Sequence, residues 1–227
     1  MRRFLLSSTY NTRDLGGYPI DAENATAYKV FLRSDAPIEV SSEDIGVLLL
    51  NNITTIIDLR SDDEVQRKPC ALKDYENFQY YHCKMHGDGA LPSSAEAVPI
   101  SYFEMIDEQK SVLNIMRVLA KAEDGVLFHC SAGKDRTGVI SALLLLLAGV
   151  GKTDILADYQ LSGVYLSPIL QQFSTSMNID INIITPKAEY IEKFLDMFLK
   201  KYNSAEAYLS EIGLNDAEIQ QLKMKMR

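Results

Sequence analysis

The sequence predicts an α/β fold: a central, largely parallel sheet flanked by helices, with a helical C-terminal layer. Three observations carry this. Four short apolar runs bounded by polar residues, at 28–32, 53–59, 78–83 and 126–130, have the length and composition of strands. Helical patterns lie between and after them. From Pro186 onward the pattern is helical alone, so strands come first and helices accumulate later, as in a sheet covered by helices.

The elements follow in order. Ser41-Ser42-Glu43-Asp44 opens the first predicted helix, because its hydroxyl and carboxylate groups suit the free N–H groups of a first turn. The window 87–99 clusters Gly, Pro, Ser and Ala and reads as a surface loop. A second helix is predicted over 101–122, with Ile106, Leu113, Met116 and Leu119 near helical spacing. A third follows Arg136, and its leucine run at 143–147 reads as core packing. Ile191, Phe194, Leu195, Phe198 and Tyr202 fall at i, i+3, i+4, i+7 and i+11, one apolar stripe. No linker or internal repeat interrupts the chain, so residues 1–227 are expected to form one domain.

Composition removes several function classes. The formal net charge of −8 argues against a general nucleic-acid binder, which needs a basic surface. The greasiest run, 139–150, is well under the roughly 18 to 20 residues of a spanning helix, so no stable membrane insertion is expected. Only three apolar residues follow Arg2 and Arg3 before Ser7, too few for the apolar core of a signal peptide. Three cysteines, an odd number in a chain too large to need staples, point to a reducing, cytoplasmic setting.

The chemistry lies in Val126-Leu-Phe-His129-Cys130-Ser-Ala-Gly-Lys-Asp-Arg136-Thr-Gly138. A cysteine six positions before an arginine means little alone. With His129, Gly133, Thr137 and Gly138 at fixed offsets, chance occurrence drops to on the order of one in a million. A strand-like run enters and a helix-like run leaves. A free thiol of pKa about 8.5 is only a few per cent thiolate at neutrality. Lowering such a pKa to about 5 takes roughly 4 to 5 kcal/mol, and a helix N-terminus supplies at most about 2 kcal/mol. Inward-facing loop N–H groups and a fixed guanidinium can supply the rest. The same donors cradle a phosphate dianion.

The candidate roles follow. Cys130 is the nucleophile, attacking phosphorus in line to give a cysteinyl-phosphate that water hydrolyses. Arg136 offers a planar fork to two phosphoryl oxygens. Ser131, Ala132, Gly133 and Lys134 complete the binding loop, Gly133 tolerating positive φ, and Thr137 donates its hydroxyl to the sulfur as it leaves. His129 is expected to order the loop. The chemistry calls for no metal and no cofactor. The expected partner is a phosphorylated protein or a small phosphoester.

This loop resembles the active-site loop of the protein tyrosine phosphatase superfamily, and its Gly-Lys-Asp-Arg136-Thr-Gly form looks like the bacterial branch of tyrosine and dual-specificity phosphatases, some of which also act on phosphoinositides. Asn11-Thr-Arg-Asp-Leu-Gly-Gly-Tyr18, Phe31-Leu-Arg-Ser-Asp35, Ile57-Asp-Leu-Arg-Ser61 and Ala207-Tyr-Leu-Ser-Glu-Ile-Gly213 look like further landmarks in family order. The resemblance implies a central sheet with helices on both sides and the Cys loop between a strand and a helix. Many members carry the general acid on a Trp-Pro-Asp loop, and this chain has no Trp. Asp135 is the first choice of acid, since related lipid phosphatases such as myotubularins also place an Asp just before the Arg. Asp58 is second, with Asp88 and Asp107 behind.

Plainer readings stand beside these. Asp135 is equally suited to capping the following helix or holding a loop N–H, and Lys134 to selecting acidic or multiply phosphorylated substrates or simply to solvation. Arg13 and Asp14 read as a structural ion pair near Gly16-Gly17 or as a support for the site, and Arg60 as a brace for the sheet end. Cys70 and Cys83 read as plain thiols, with reversible disulfide protection of Cys130 as the rival. Two rival functions are a phospho-ligand-binding pseudophosphatase without turnover, and thiol chemistry of the arsenate reductase or sulfurtransferase kind, which needs a resolving thiol.

Overall fold

A computed structural model describes residues 2–87 and 91–227 of the chain. Strands β1 (Arg13–Asp14), β2 (Phe31–Ser34), β3 (Ile53–Asp58), β4 (Gln79–His82) and β5 (Gly125–His129) form one sheet in the order β1-β2-β5-β3-β4. β1 runs antiparallel to β2 and all other pairs are parallel. The largely parallel sheet is as expected, with shifted edges. The run at 28–32 starts only at Phe31, because Lys29 sits at φ 66° in a turn and Tyr28 is half exposed. The two-residue β1 is too short for any periodicity to announce.

The helices are α1 (Ser42–Leu50), α2 (Asp62–Arg67), α3 (Val98–Asp107), α4 (Gln109–Lys121), α5 (Arg136–Ala148), α6 (Lys152–Met177), α7 (Ile181–Ile184), α8 (Ala188–Tyr202), α9 (Ala205–Glu211) and α10 (Asp216–Lys225). Ser41 caps α1 in a reciprocal capping box with Asp44. The helix predicted over 101–122 is two helices. Glu108 leaves helical geometry at ψ 73°, and its carboxylate accepts the Ser111 N–H to start α4. None of the described helices is long and apolar enough to cross a membrane.

Alternation along the strands divides the core. Leu32, Ile56 and Leu127 face Leu48, Leu72, Phe78 and the N-terminal Phe4 and Leu6. Phe31, Ile57 and Phe128 face the larger layer, which includes α5 and the stripe of Ile191, Phe194, Leu195, Phe198 and Tyr202. Ile53 and Ile56 share a face despite their odd spacing, because a register shift between Ile53 and Thr55 inserts one residue. α5 is buried nearly all round, so its leucines pack on every side.

Register decides where chemistry gathers. Ser34, His129, Asp58 and His82 form the last paired row across the parallel strands. The segments leaving these strands, including Cys130 after β5 and Arg60 after β3, therefore emerge together at the carboxyl edge, where open α/β sheets bind ligands.

Candidate active site

Residues 130–135 curl between β5 and the N-terminus of α5. The curl is held from outside. Ser131 carbonyl accepts the Ala36 N–H at 3.2 Å, and Asn11 Nδ2 donates to the carbonyls of Ala132 and Gly133 at 3.0 and 2.9 Å. Arg33 donates to the Gly133 and Lys134 carbonyls at 2.7 and 3.3 Å. In a trans peptide the C=O and the following N–H point oppositely, so the N–H groups of 132–135 turn to the inner side of the loop. Among the described residues none of these N–H groups has a protein acceptor. Gly133 is required here, with φ 64° and with a Cβ that would lie 2.3 Å from the Ser34 carbonyl oxygen.

The outer clamp is a buried charge network. Asp158 of α6 accepts from Arg13 Nε at 2.9 Å, Arg33 Nη1 at 2.5 Å and Tyr18 Oη at 2.9 Å. Burial opposes its ionisation, but the two guanidiniums win and hold its carboxyl well below the usual range. Arg13 also donates to Asn11 Oδ1 at 2.5 Å, fixing the amide that grips the loop. Arg13 thus pairs with Asp158 and not with Asp14, whose carboxylate accepts the Gly16 and Lys29 N–H groups.

Arg136, the first residue of α5, is buried and oriented by a residue the sequence reading missed. Its Nη1 and Nη2 bind both oxygens of Glu64 at 2.6 and 2.8 Å, and Ser131 Oγ donates to the same carboxylate. Glu64 is itself fixed at the start of α2, accepting the Ser61 N–H at 2.9 Å in a capping box. Arg136 and Ser131 hold the Glu64 carboxyl far below its usual range despite its partial burial. Ser61-x-x-Glu64 is a readable capping signature. Its contact with Arg136, 72 residues away, is not.

The remaining candidates sort by position. Cys130 is 3% exposed and opens the loop that Arg136 closes. Thr137 Oγ1 is buried without a hydrogen-bond partner among the described residues. Ala132 packs beside Leu166, Leu170 and Ile184. Lys134 does not face the inner side as a substrate ligand would. Its Nζ lies buried on the Ile184 carbonyl at 2.7 Å and on Asp135 Oδ1 at 3.1 Å, drawn there by the carbonyl end of α7.

The two leading acid candidates have different hydrogen-bond and ion-pair partners. Asp135 caps α5 by position but makes no side-chain cap bond, and its carboxylate is part exposed. Asp58 is 0% exposed and bound by Arg60 at 2.9 and 2.6 Å and by Tyr80 Oη at 3.0 Å. Against the cost of burial, His129 in its protonated form and Arg60 bring its pKa to about 2. It lies beneath the loop and braces the sheet end together with Arg60, which also donates to the Lys68 carbonyl. Asp107 sits in a surface pair with Lys201 at 2.5 Å, and Asp88 lies outside the described residues.

His129 Nδ1 donates to the Cys130 carbonyl at 3.3 Å, and burial pushes its pKa down to about 4, so the ring is neutral. Cys70 and Cys83 are unpaired and buried, and burial pushes each thiol up to about 11. Cys70 belongs to the core on the opposite face of the sheet from Cys130. No cluster of His, Cys, Asp or Glu suited to a metal ion occurs among the described residues.

The sequence pattern of the tyrosine phosphatase family matches residues 4–227. A tyrosine-protein phosphatase of Nostoc commune is 28% identical over 216 residues, covering 86% of this chain and 74% of that protein. The triple specificity protein phosphatase PtpB of Mycobacterium tuberculosis is 28% identical over 133 residues, 51% of this chain and 48% of its own. A solved structure of Pseudomonas aeruginosa TpbA in complex with pTyr aligns at 16% identity and a TM-score of 0.40, covering 88% of each chain.

Proposed function

Because this chain belongs to the tyrosine phosphatase family, and so is a phosphatase, we propose that it hydrolyses phosphotyrosine through a cysteinyl-phosphate on Cys130. The supporting observation is the loop whose carbonyls are tied outward by Ala36, Asn11 and Arg33, leaving amide N–H groups to meet phosphoryl oxygens. Ser131, Ala132, Gly133 and Lys134 contribute as backbone to that cradle. Arg136 gives two of its five N–H bonds to Glu64, and its Nε–H and the neighbouring Nη–H remain on one edge for two phosphoryl oxygens.

The Cys130 thiolate forms the S–P bond as the ester P–O bond breaks. Asp135, the part-exposed carboxyl of the loop, gives its proton to the leaving oxygen. Water then attacks phosphorus, returning a proton to Asp135 and the electron pair to sulfur. Thr137 Oγ1 donates to that sulfur as it leaves. Asp58 takes no part as acid, since it is buried, paired and ionised.

Phosphotyrosine is preferred over multiply phosphorylated inositol lipids because the loop's extra cation, Lys134, is occupied by Ile184 and Asp135. The similarity to a triple specificity phosphatase makes phosphoserine, phosphothreonine and phosphoinositides the comparison arms. We place the activity in a reducing, cytoplasmic setting, on phosphorylated proteins or small phosphoesters.

The test is a pH–rate profile on a panel of phosphotyrosyl, phosphoseryl and inositol phosphoesters. Cys130→Ser is expected to abolish turnover. Asp135→Asn is expected to lose the basic limb of the kcat profile, and Asp58→Asn to keep it. Phosphate-competitive binding without turnover between about pH 5 and 8 would favour a pseudophosphatase. A Cys70→Ala/Cys83→Ala double variant is expected to keep its turnover; loss would favour resolving-thiol chemistry.

A further inference from the structure

A chain of two buried tyrosines reaches Asp135 from outside the loop. Tyr102 of α3 donates its hydroxyl to Asp135 Oδ1, and Tyr159 of α6 lies with its Oη 2.5 Å from Tyr102 Oη. Both residues are 1% exposed. The rings meet edge to face at 6.0 Å, and Tyr102 packs edge-on to Phe194 at 6.4 Å. The final glycine of the loop motif has its explanation here, since a Cβ on Gly138 would press to 3.2 Å from the Tyr159 ring.

The donor directions follow from one proton per phenol. Asp135 as an anion only accepts, so Tyr102 gives its proton to Oδ1 and must accept from Tyr159. Burial first, and the Asp135 charge next, hold both phenols well above their ordinary value, so both remain donors. Lys134 Nζ also reaches Oδ1, at 3.1 Å. Oδ1 therefore carries two donors. Among the described residues, no donor reaches Oδ2.

We propose that Tyr102 and Tyr159 are positioning residues that hold Asp135 with Oδ1 anchored and Oδ2 presented to the leaving-group oxygen. This rests on the assignment of Asp135 as the acid. In the first step the Oδ2 proton passes to the leaving oxygen as the S–P bond forms, and the carboxylate left behind is stabilised at Oδ1 by Tyr102, whose own proton stays on the phenol. In the second step water returns a proton to Oδ2. The charged or titratable groups facing Asp135 are Lys134 and Arg136 on its own loop, Tyr102 from α3 and Tyr159 from α6.

The experiment compares wild type, Tyr102→Phe, Tyr159→Phe and Asp135→Asn on phenyl phosphate and 4-nitrophenyl phosphate across pH. The former has a poor leaving group that needs the proton, the latter a good one. Tyr102→Phe is expected to slow phenyl phosphate turnover about tenfold more than that of 4-nitrophenyl phosphate. It is also expected to move the basic limb of the kcat profile upward by roughly half a pH unit or more, since the carboxylate loses a donor. Tyr159→Phe is expected to show the same signs at smaller size, and it carries the test should Tyr102→Phe fail to fold. Equal slowing of both substrates with an unmoved limb, in whichever variant folds, overturns the proposal and leaves these phenols as packing only. The Asp135→Asn arm separates the two readings. If it loses the limb while the Phe variants keep theirs, the positioning role alone fails. If it keeps the limb, the acid assignment fails as well.

Discussion

Arg136 shows how much one side chain depends on what it touches before substrate arrives. A nearly buried guanidinium without a counter-charge is costly, and Glu64 supplies one in bidentate geometry while fixing the plane of the fork. Attraction to Glu64 competes with phosphate, but a free Arg136 would lose its aim, and aim governs catalysis by positioning. Glu64→Gln is therefore expected to lower kcat/KM by about tenfold or more, read by steady-state kinetics on an aryl phosphate. An increase would show that the pair restrains the enzyme. The loop residues from Cys130 to Arg136 were legible because their spacing is local. Glu64 was not, because a six-residue helix with no buried residue carries no apolar pattern to draw notice.

Among the elements, α6 supports the site both by contact and through intermediaries. It delivers Asp158 and Ser162 to the N-terminal loop, so that Asn11 and Arg33 present donors to the carbonyls of residues 132–134. Removing one partner of a buried charge network leaves the others uncompensated. Asp158→Asn is expected to destabilise the protein by roughly 3 to 5 kcal/mol and to lower phosphate affinity, measured by urea unfolding and by inhibition with inorganic phosphate. Tyr18→Phe, which removes one hydrogen bond from the same carboxylate, is expected to cost only about 1 kcal/mol. An equal cost for both would mean that packing, not charge, holds α6 to the loop.

At the scale of the whole molecule, the buried ionisable groups set a pH dependence of stability. His129 is neutral in the fold, with its pKa pushed to about 4, whereas the unfolded chain takes up a proton near the ordinary value of about 6.5. The unfolded state thus binds more protons between these values, so stability is full above about 6.5 and falls as pH drops toward about 4. That window amounts to about 3 kcal/mol at most. Asp58, Asp158 and Glu64 are depressed carboxyls whose stabilisation is present above about 4 and lost below it. Urea midpoints from about pH 8 to about pH 3 are expected to fall in two stages, and His129→Gln to flatten the first; an unchanged slope in that variant would rule His129 out as its source. By itself the sequence determined the sheet with its helical cover and the Cys130–Arg136 loop between a strand and a helix, because hydrophobic period and motif spacing are properties of neighbouring residues. Only the tertiary structure decided that Arg13 joins Asp158, that Glu64 holds Arg136, that Lys134 turns away from the cradle and that Asp58 is sealed beneath it. These are contacts between distant segments, fixed by strand register and by the burial cost that forces each charge to find a partner.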